Sequence, residues 1–141
     1  FSRRAGWDLT QSELALRTSL SESRIEEGRT VSLAIELQNL GAEGQPMALA
    51  VVGIPAGLEV PTQVLDDSKA GGRFDVWELR GRELVLYWRA LEPGAHKEVH
   101  LDLLARIPGK TSGPASRAYL YYTPESKRWC APLSIEISAA R

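Results

Sequence analysis

The chain has 141 residues, of which 43% are hydrophobic and 25% charged, a composition that suits one domain with a single core and excludes a disordered chain. Lys and Arg (17) nearly balance Asp and Glu (18), so the basic excess typical of nucleic-acid-binding proteins is absent. No stretch approaches the roughly 18 apolar residues of a membrane span, and Cys130, the single cysteine, can form neither an internal disulfide nor a paired-cysteine metal site.

The N-terminal segment, residues 1–10, is mostly polar with one tryptophan, Trp7, and we predict that it is a tail or linker. The chain begins with Phe1 rather than Met, and no apolar signal-peptide core follows Arg4. We therefore expect a piece of a longer protein, with one folded domain over residues 11–141.

Short segments with alternating apolar and polar side chains dominate residues 11–141, as expected of half-buried β-strands. Residues 47–52 are almost wholly apolar, which predicts a central strand buried on both faces. The predicted strands are 14–20, 31–38, 47–52, 74–79, 83–91, 99–103, a tyrosine-rich stretch within 114–124, and 133–137.

One short helix is predicted at residues 61–70, because Pro61 suits the first turn of a helix and the glycine pair at 71–72 would end it. Residues 80–82 and 92–95 contain the glycines and proline expected of tight turns. About eight short strands with frequent turn signals are typical of a sandwich or barrel. We predict an all-β, antiparallel β-sandwich with one short helical insertion.

Residues 114–124 carry three tyrosines in four positions: Tyr119, Tyr121 and Tyr122. In an extended strand, alternation places Tyr119 and Tyr121 on one face and Tyr122 on the other. A strand that is aromatic on both faces needs its own core on one side. On its other side it needs a second sheet or a neighbouring domain.

Three segments resemble, in order, the C-terminal receptor-binding domain of the α2-macroglobulin family, which includes complement proteins. Residues 47–58 are similar to the family's methionine-led apolar strand, and residues 72–88 to the hairpin after its short helix. Residues 114–124 resemble its proline-alanine, valine-tyrosine-aspartate-tyrosine-tyrosine signature, with Ala118 in place of valine and Leu120 in place of aspartate. These departures favour a bacterial or otherwise divergent member.

The resemblance implies a large extracytoplasmic parent (secreted, periplasmic or on the cell surface) that inhibits proteases and holds a reactive thioester in another domain. The Cys-Gly-Glu-Gln motif of the thioester is absent here, so the domain would be non-catalytic and need no cofactor or metal. It would pack on other domains of the parent and keep water from the thioester. The matching residues are Tyr119, Tyr121 and Tyr122, with Tyr121 preferred as the outward-facing ring.

The implied partners are other domains of the parent, a partner protein, and proteases through the parent; neither nucleic acid nor direct membrane insertion is expected. The principal alternative is a carbohydrate- or ligand-binding sandwich on a surface protein, with Trp77, Trp88 and Trp129 lining a groove. A structural spacer of immunoglobulin type is a third possibility. His96 and His100 would lie about 13 Å apart on a strand, and with no third ligand nearby in the sequence we predict no metal site.

Overall fold

The computed structural model describes residues 14–41, 44, 47–121 and 123–140, without the side chains of residues 123–126. The predicted tail, residues 1–10, lies outside the described residues. Within them the chain forms twelve strands and one helix. In chain order these are β1 (Leu14–Leu20), β2 (Arg24–Glu26), β3 (Thr30–Asn39), β4 (Ala48–Gly53), β5 (Leu58–Glu59), α1 (Thr62–Ala70), β6 (Val76–Arg80), β7 (Glu83–Trp88), β8 (His96–Ala105), β9 (Gly109–Ser112), β10 (Ser116–Leu120), β11 (Thr123–Cys130) and β12 (Ser134–Ser138).

The described strands form three sheets. A five-stranded sheet has the order β11-β10-β4-β7-β6, a four-stranded sheet β1-β3-β8-β5, and a three-stranded sheet β9-β12-β2. Every pair is antiparallel except β12 with β2, which is parallel. The predicted all-β sandwich is confirmed. Four strands were not predicted: β2, β5 and β9 are only two to four residues long, too short for alternation to be visible, and β11 is mostly polar with a proline near its start.

The main core lies between the sheets and is built from the alternating apolar residues that the sequence shows. Leu33, Ile35 and Leu37 of β3 are fully buried, and so are Leu84 and Leu86 of β7. All of these side chains belong to one hydrophobic cluster. Burying an apolar side chain of this size stabilises a fold by about 1.5–3 kcal/mol, so this cluster holds the two main sheets together.

The strand β4 is buried at all six positions, as predicted from its apolar sequence. Ala50 and Val52 face the main core, whereas Leu49 and Val51 belong to a second hydrophobic cluster on the other side of the sheet. At the end of the strand, a Cβ on Gly53 would overlap the carbonyl oxygen of Pro114. Position 53 therefore requires glycine, because the chain that leads into β10 passes directly against it at Pro114.

The helix α1 begins directly after Pro61, close to the predicted boundary. The Leu65 side chain of this helix is fully buried. At the C-terminal end, the Gly71 N–H donates to the carbonyl oxygen of Asp67 at 3.0 Å. Packing on the sheet therefore supplies the stability that so short a helix lacks alone. Within the described ranges, no helix is both long and apolar enough to span a membrane.

One side of the sandwich is closed where β11 lies beside β1. The Arg128 Nε donates to the Leu14 carbonyl oxygen at 3.1 Å. The Thr18 hydroxyl lies 3.5 Å from the Cys130 Sγ. Cys130 is half-buried and hydrogen-bonded there, in a structural position between the two main sheets.

Candidate interaction face

The outer face of the five-stranded sheet carries the predicted site. Tyr119 of β10 pairs with Leu49 of β4, Leu49 pairs with Tyr87 of β7, and Tyr87 pairs with Val76 of β6. Paired residues on neighbouring strands project to the same side of a sheet. The register therefore sets these four side chains in one row across the sheet.

The side chains on this face form a hydrophobic cluster separate from the main core. Leu49, Val51 and Val85 are 4%, 2% and 2% exposed, although they point away from the core. The partly buried side chains around them are those of Met47, Tyr87 and Tyr119. We call these six residues the outer aromatic cluster. They form a second apolar layer on the outer side of the five-stranded sheet, which a sandwich with a single core would lack.

Two cations border the cluster on the side of β10 and β11. The Arg117 Nη1 donates to Glu83 Oε2 at 2.9 Å, and the guanidinium carbon lies 5.6 Å from the centre of the Trp129 ring. The Lys127 Nζ lies 5.4 Å from the centre of the Tyr119 ring. Both distances suit cation–π attraction. This rim therefore presents aromatic rings and positive charge together.

An acidic group and a second arginine border the opposite side. The Arg80 Nε and Nη2 donate to the two carboxylate oxygens of Glu78 at 3.0 and 3.1 Å, and the Tyr87 hydroxyl donates to Glu78 Oε1 at 3.2 Å. The Arg80 hydrogen bonds lower the pKa of Glu78 most, and the Arg80 charge and the Tyr87 hydroxyl lower it further. Burial raises the pKa of Tyr87, and the hydrogen bond to Glu78 raises it further. The phenol of Tyr87 is thus held as a neutral donor.

The three predicted tyrosines differ in their placement. Tyr119 lies in the outer aromatic cluster, as alternation predicts. Tyr121 does not continue the strand, because β10 ends at Leu120, which pairs with Thr123 of β11, and Tyr121 itself lies in a turn. In that turn the Tyr121 N–H donates to the Met47 carbonyl oxygen at 2.9 Å, and Tyr121 is 56% exposed. Tyr122 lies outside the described residues.

The tryptophans of the alternative carbohydrate groove do not share a surface. Trp88 is buried, and its Nε1 donates to the Arg73 carbonyl oxygen at 2.8 Å. Trp77 packs against the main core. Trp129 is 57% exposed on the outer face beside Arg117. These rings cannot line one groove, and the predicted groove is wrong.

The sequence comparisons fit this architecture. The profile of the bacterial alpha-2-macroglobulin MG10 domain family matches residues 3–125. The chain belongs to this family. The family predicted from the tyrosine segment and the apolar strand is therefore confirmed, in its bacterial branch. A comparison with curated protein sequences gives no significant match.

Solved structures of bacterial family members share the fold. Native alpha-2-macroglobulin from Escherichia coli, from domain MG7 to the C-terminus, is 16% identical with a TM-score of 0.74 over 90% of this chain and 24% of that one. A tyrosine-to-glycine mutant of Salmonella alpha-2-macroglobulin is 18% identical with a TM-score of 0.71 over 90% and 9%. The trypsin-activated E. coli protein is 17% identical with a TM-score of 0.73 over 90% and 10%. This chain of the MG10 family spans a quarter or less of their lengths.

Proposed function

We propose that this domain is a non-catalytic packing module of a bacterial macroglobulin-like protease inhibitor, and that it contacts a neighbouring domain through the outer aromatic cluster. The observation that carries the proposal is the second apolar layer, Leu49, Val51 and Val85, on the outer side of the five-stranded sheet. Tyr119 borders it and Tyr121 stands exposed beside it. Aromatic rings give large contact area at low conformational cost, as protein interfaces require.

The neighbour would be the domain that holds the thioester, and the parent would be extracytoplasmic, with this domain at its C-terminal end. Tyr121 would be the ring that covers the bond, with Tyr119 and Tyr122 in support. A covering ring excludes water and so slows hydrolysis of a reactive acyl group. Proteases would meet the parent rather than this domain, and the domain would need no cofactor.

Association in trans tests the proposal. The thioester domain of the same parent is titrated into this chain by calorimetry, with Tyr121→Ser as the variant because Tyr121 is 56% exposed. Loss of a central interface aromatic costs binding about tenfold or more. Ile107→Ser is the matched control, since Ile107 is 65% exposed and belongs neither to the outer aromatic cluster nor to the predicted tyrosine site.

We expect the unmodified chain and the control to bind alike and Tyr121→Ser to bind about tenfold more weakly. In the intact parent, the same variant should release the thioester thiol faster on incubation. Equal affinity of all three chains, or no association at millimolar concentration, would contradict the proposal.

A further inference from the structure

The outer face of the four-stranded sheet brings one histidine and two glutamates together. Glu36 of β3 and Glu98 of β8 are paired in register, and His96 lies two residues before Glu98 on the same face of β8. One ligand atom from each of the three side chains lies within 4.8 Å of the others. The sequence did not predict this cluster, because Glu36 reaches His96 only through the pairing of two strands that are distant in the chain.

The glutamate pair creates an electrostatic need for a cation. Like charges directly opposite each other on neighbouring strands are destabilising. The nearest basic side chains are loosely placed: Arg17 Nη1 is 3.6 Å and His96 Nε2 is 3.8 Å from Glu36 Oε1, and His100 Nε2 is 3.7 Å from Glu98 Oε1. The Arg17 side chain is 79% exposed, and an exposed ion pair of this kind is worth about 0–1 kcal/mol. None of these contacts compensates the glutamate pair strongly.

We propose that Glu36, His96 and Glu98 bind a divalent transition-metal ion of the zinc class. Imidazole nitrogen and carboxylate oxygen are both zinc ligands, and three protein ligands leave a fourth position for water. Ions such as magnesium prefer oxygen ligands and would not coordinate the imidazole nitrogen. Zinc bonds of about 2.0–2.2 Å require donor atoms about 3.4 Å apart. Small rotations of these surface side chains supply that contraction.

The metal would join β3 to β8 on the face remote from the outer aromatic cluster. Because the ligands come from two strands of the folded sheet, the ion would bind the native state better than the unfolded chain and stabilise it. The inference is independent of the proposed packing function, because no residue is shared between the two surfaces.

Calorimetric titration of the full chain with zinc, and with magnesium for comparison, tests the site. We expect one zinc ion per chain, a raised melting temperature, and much weaker binding of magnesium. His96→Gln and Glu98→Gln should each weaken zinc binding about tenfold or more, since each removes one of three ligands. His100→Gln is the matched control, because His100 is an exposed histidine on the same strand and face whose imidazole lies 3.7 Å from Glu98.

Arg17→Gln should strengthen zinc binding, whereas the ligand variants should weaken it. It removes the cation that competes for Glu36, so zinc should bind several-fold more tightly. Three results would overturn the site: equal binding of zinc and magnesium, an equal loss of zinc affinity in His100→Gln and His96→Gln, or no zinc binding at millimolar concentration. The first result would show a diffuse acidic surface, and the second would show binding to exposed histidines in general.

Discussion

The outer faces of the two main sheets contrast sharply although both sheets share one core. The four-stranded sheet carries Arg17, Glu36 and Glu98 in one row across three strands. The corresponding face of the five-stranded sheet carries Leu49 and Val51 almost fully buried. The first face is polar and exposed, whereas the second carries an additional apolar layer that the chain's own side chains cover.

The same chemical groups behave differently on the two faces. The Arg17–Glu36 pair is 3.6 Å apart with an Arg17 side chain that is 79% exposed. The Arg117–Glu83 pair is 2.9 Å apart, and its side chains are 23% and 28% exposed. The surrounding aromatic residues restrict water around Arg117, and an ion pair is stronger where water is restricted.

The largest expected difference between the two faces is in the free energy of unfolding when a charged side chain is introduced into each. Val85→Asp should lower the free energy of unfolding by about 3 kcal/mol, since it buries an unpaired carboxylate. Its cross-strand neighbour is Glu78, so the new charge also meets a like charge. Denaturation in urea measures the loss.

The matched change on the polar face is Ser19→Asp, at an exposed position of β1. We expect a change of no more than about 0.5 kcal/mol there, as for other exposed surface positions. Equal losses in the two variants would show that the outer aromatic cluster is not a second buried layer.

The two ion pairs provide a second, smaller test. Arg117→Met should cost about 1–2 kcal/mol, because it leaves the half-buried Glu83 without its partner and removes the cation from the Trp129 ring. Arg17→Met should cost less than about 0.5 kcal/mol. A double-mutant cycle with Glu83→Gln or Glu36→Gln gives each coupling energy. Equal couplings would remove the difference between the faces.

The sequence predicted the parts of this contrast that are local. The apolar run at 47–52 predicted burial on both sides of β4. The main core buries one side of the strand, and the outer aromatic cluster buries the other. Pro61 marked the start of α1. The turn at Tyr121 was missed because tyrosines favour strands, and the glycine or asparagine that usually marks a tight turn is absent.

The composition of each face could not be predicted from local patterns. Tyr87 joins Tyr119, and Trp129 joins Arg117, only through the register of strands that are separated in sequence. Glu36 meets His96 in the same way. A single sequence shows which side of its own strand a residue occupies. It does not show which strand lies beside it.

The smallest expected effect concerns the hydroxyl that links Tyr87 to Glu78. Because the folded-state pKa of Glu78 is lowered from 4.5, its ionised form stabilises the fold above the unfolded-state pKa. This contribution is lost as pH falls through the lowered folded-state pKa.

Tyr87→Phe removes one cause of the lowering, so the Glu78 pKa should rise and the loss of stability at acid pH should be smaller. Arg80→Met should raise the pKa more, since Arg80 is the largest cause. Carboxyl-carbon NMR titration measures both, with Tyr119→Phe as the control, and an unchanged Glu78 titration in Tyr87→Phe would show that the hydroxyl does not hold the carboxylate.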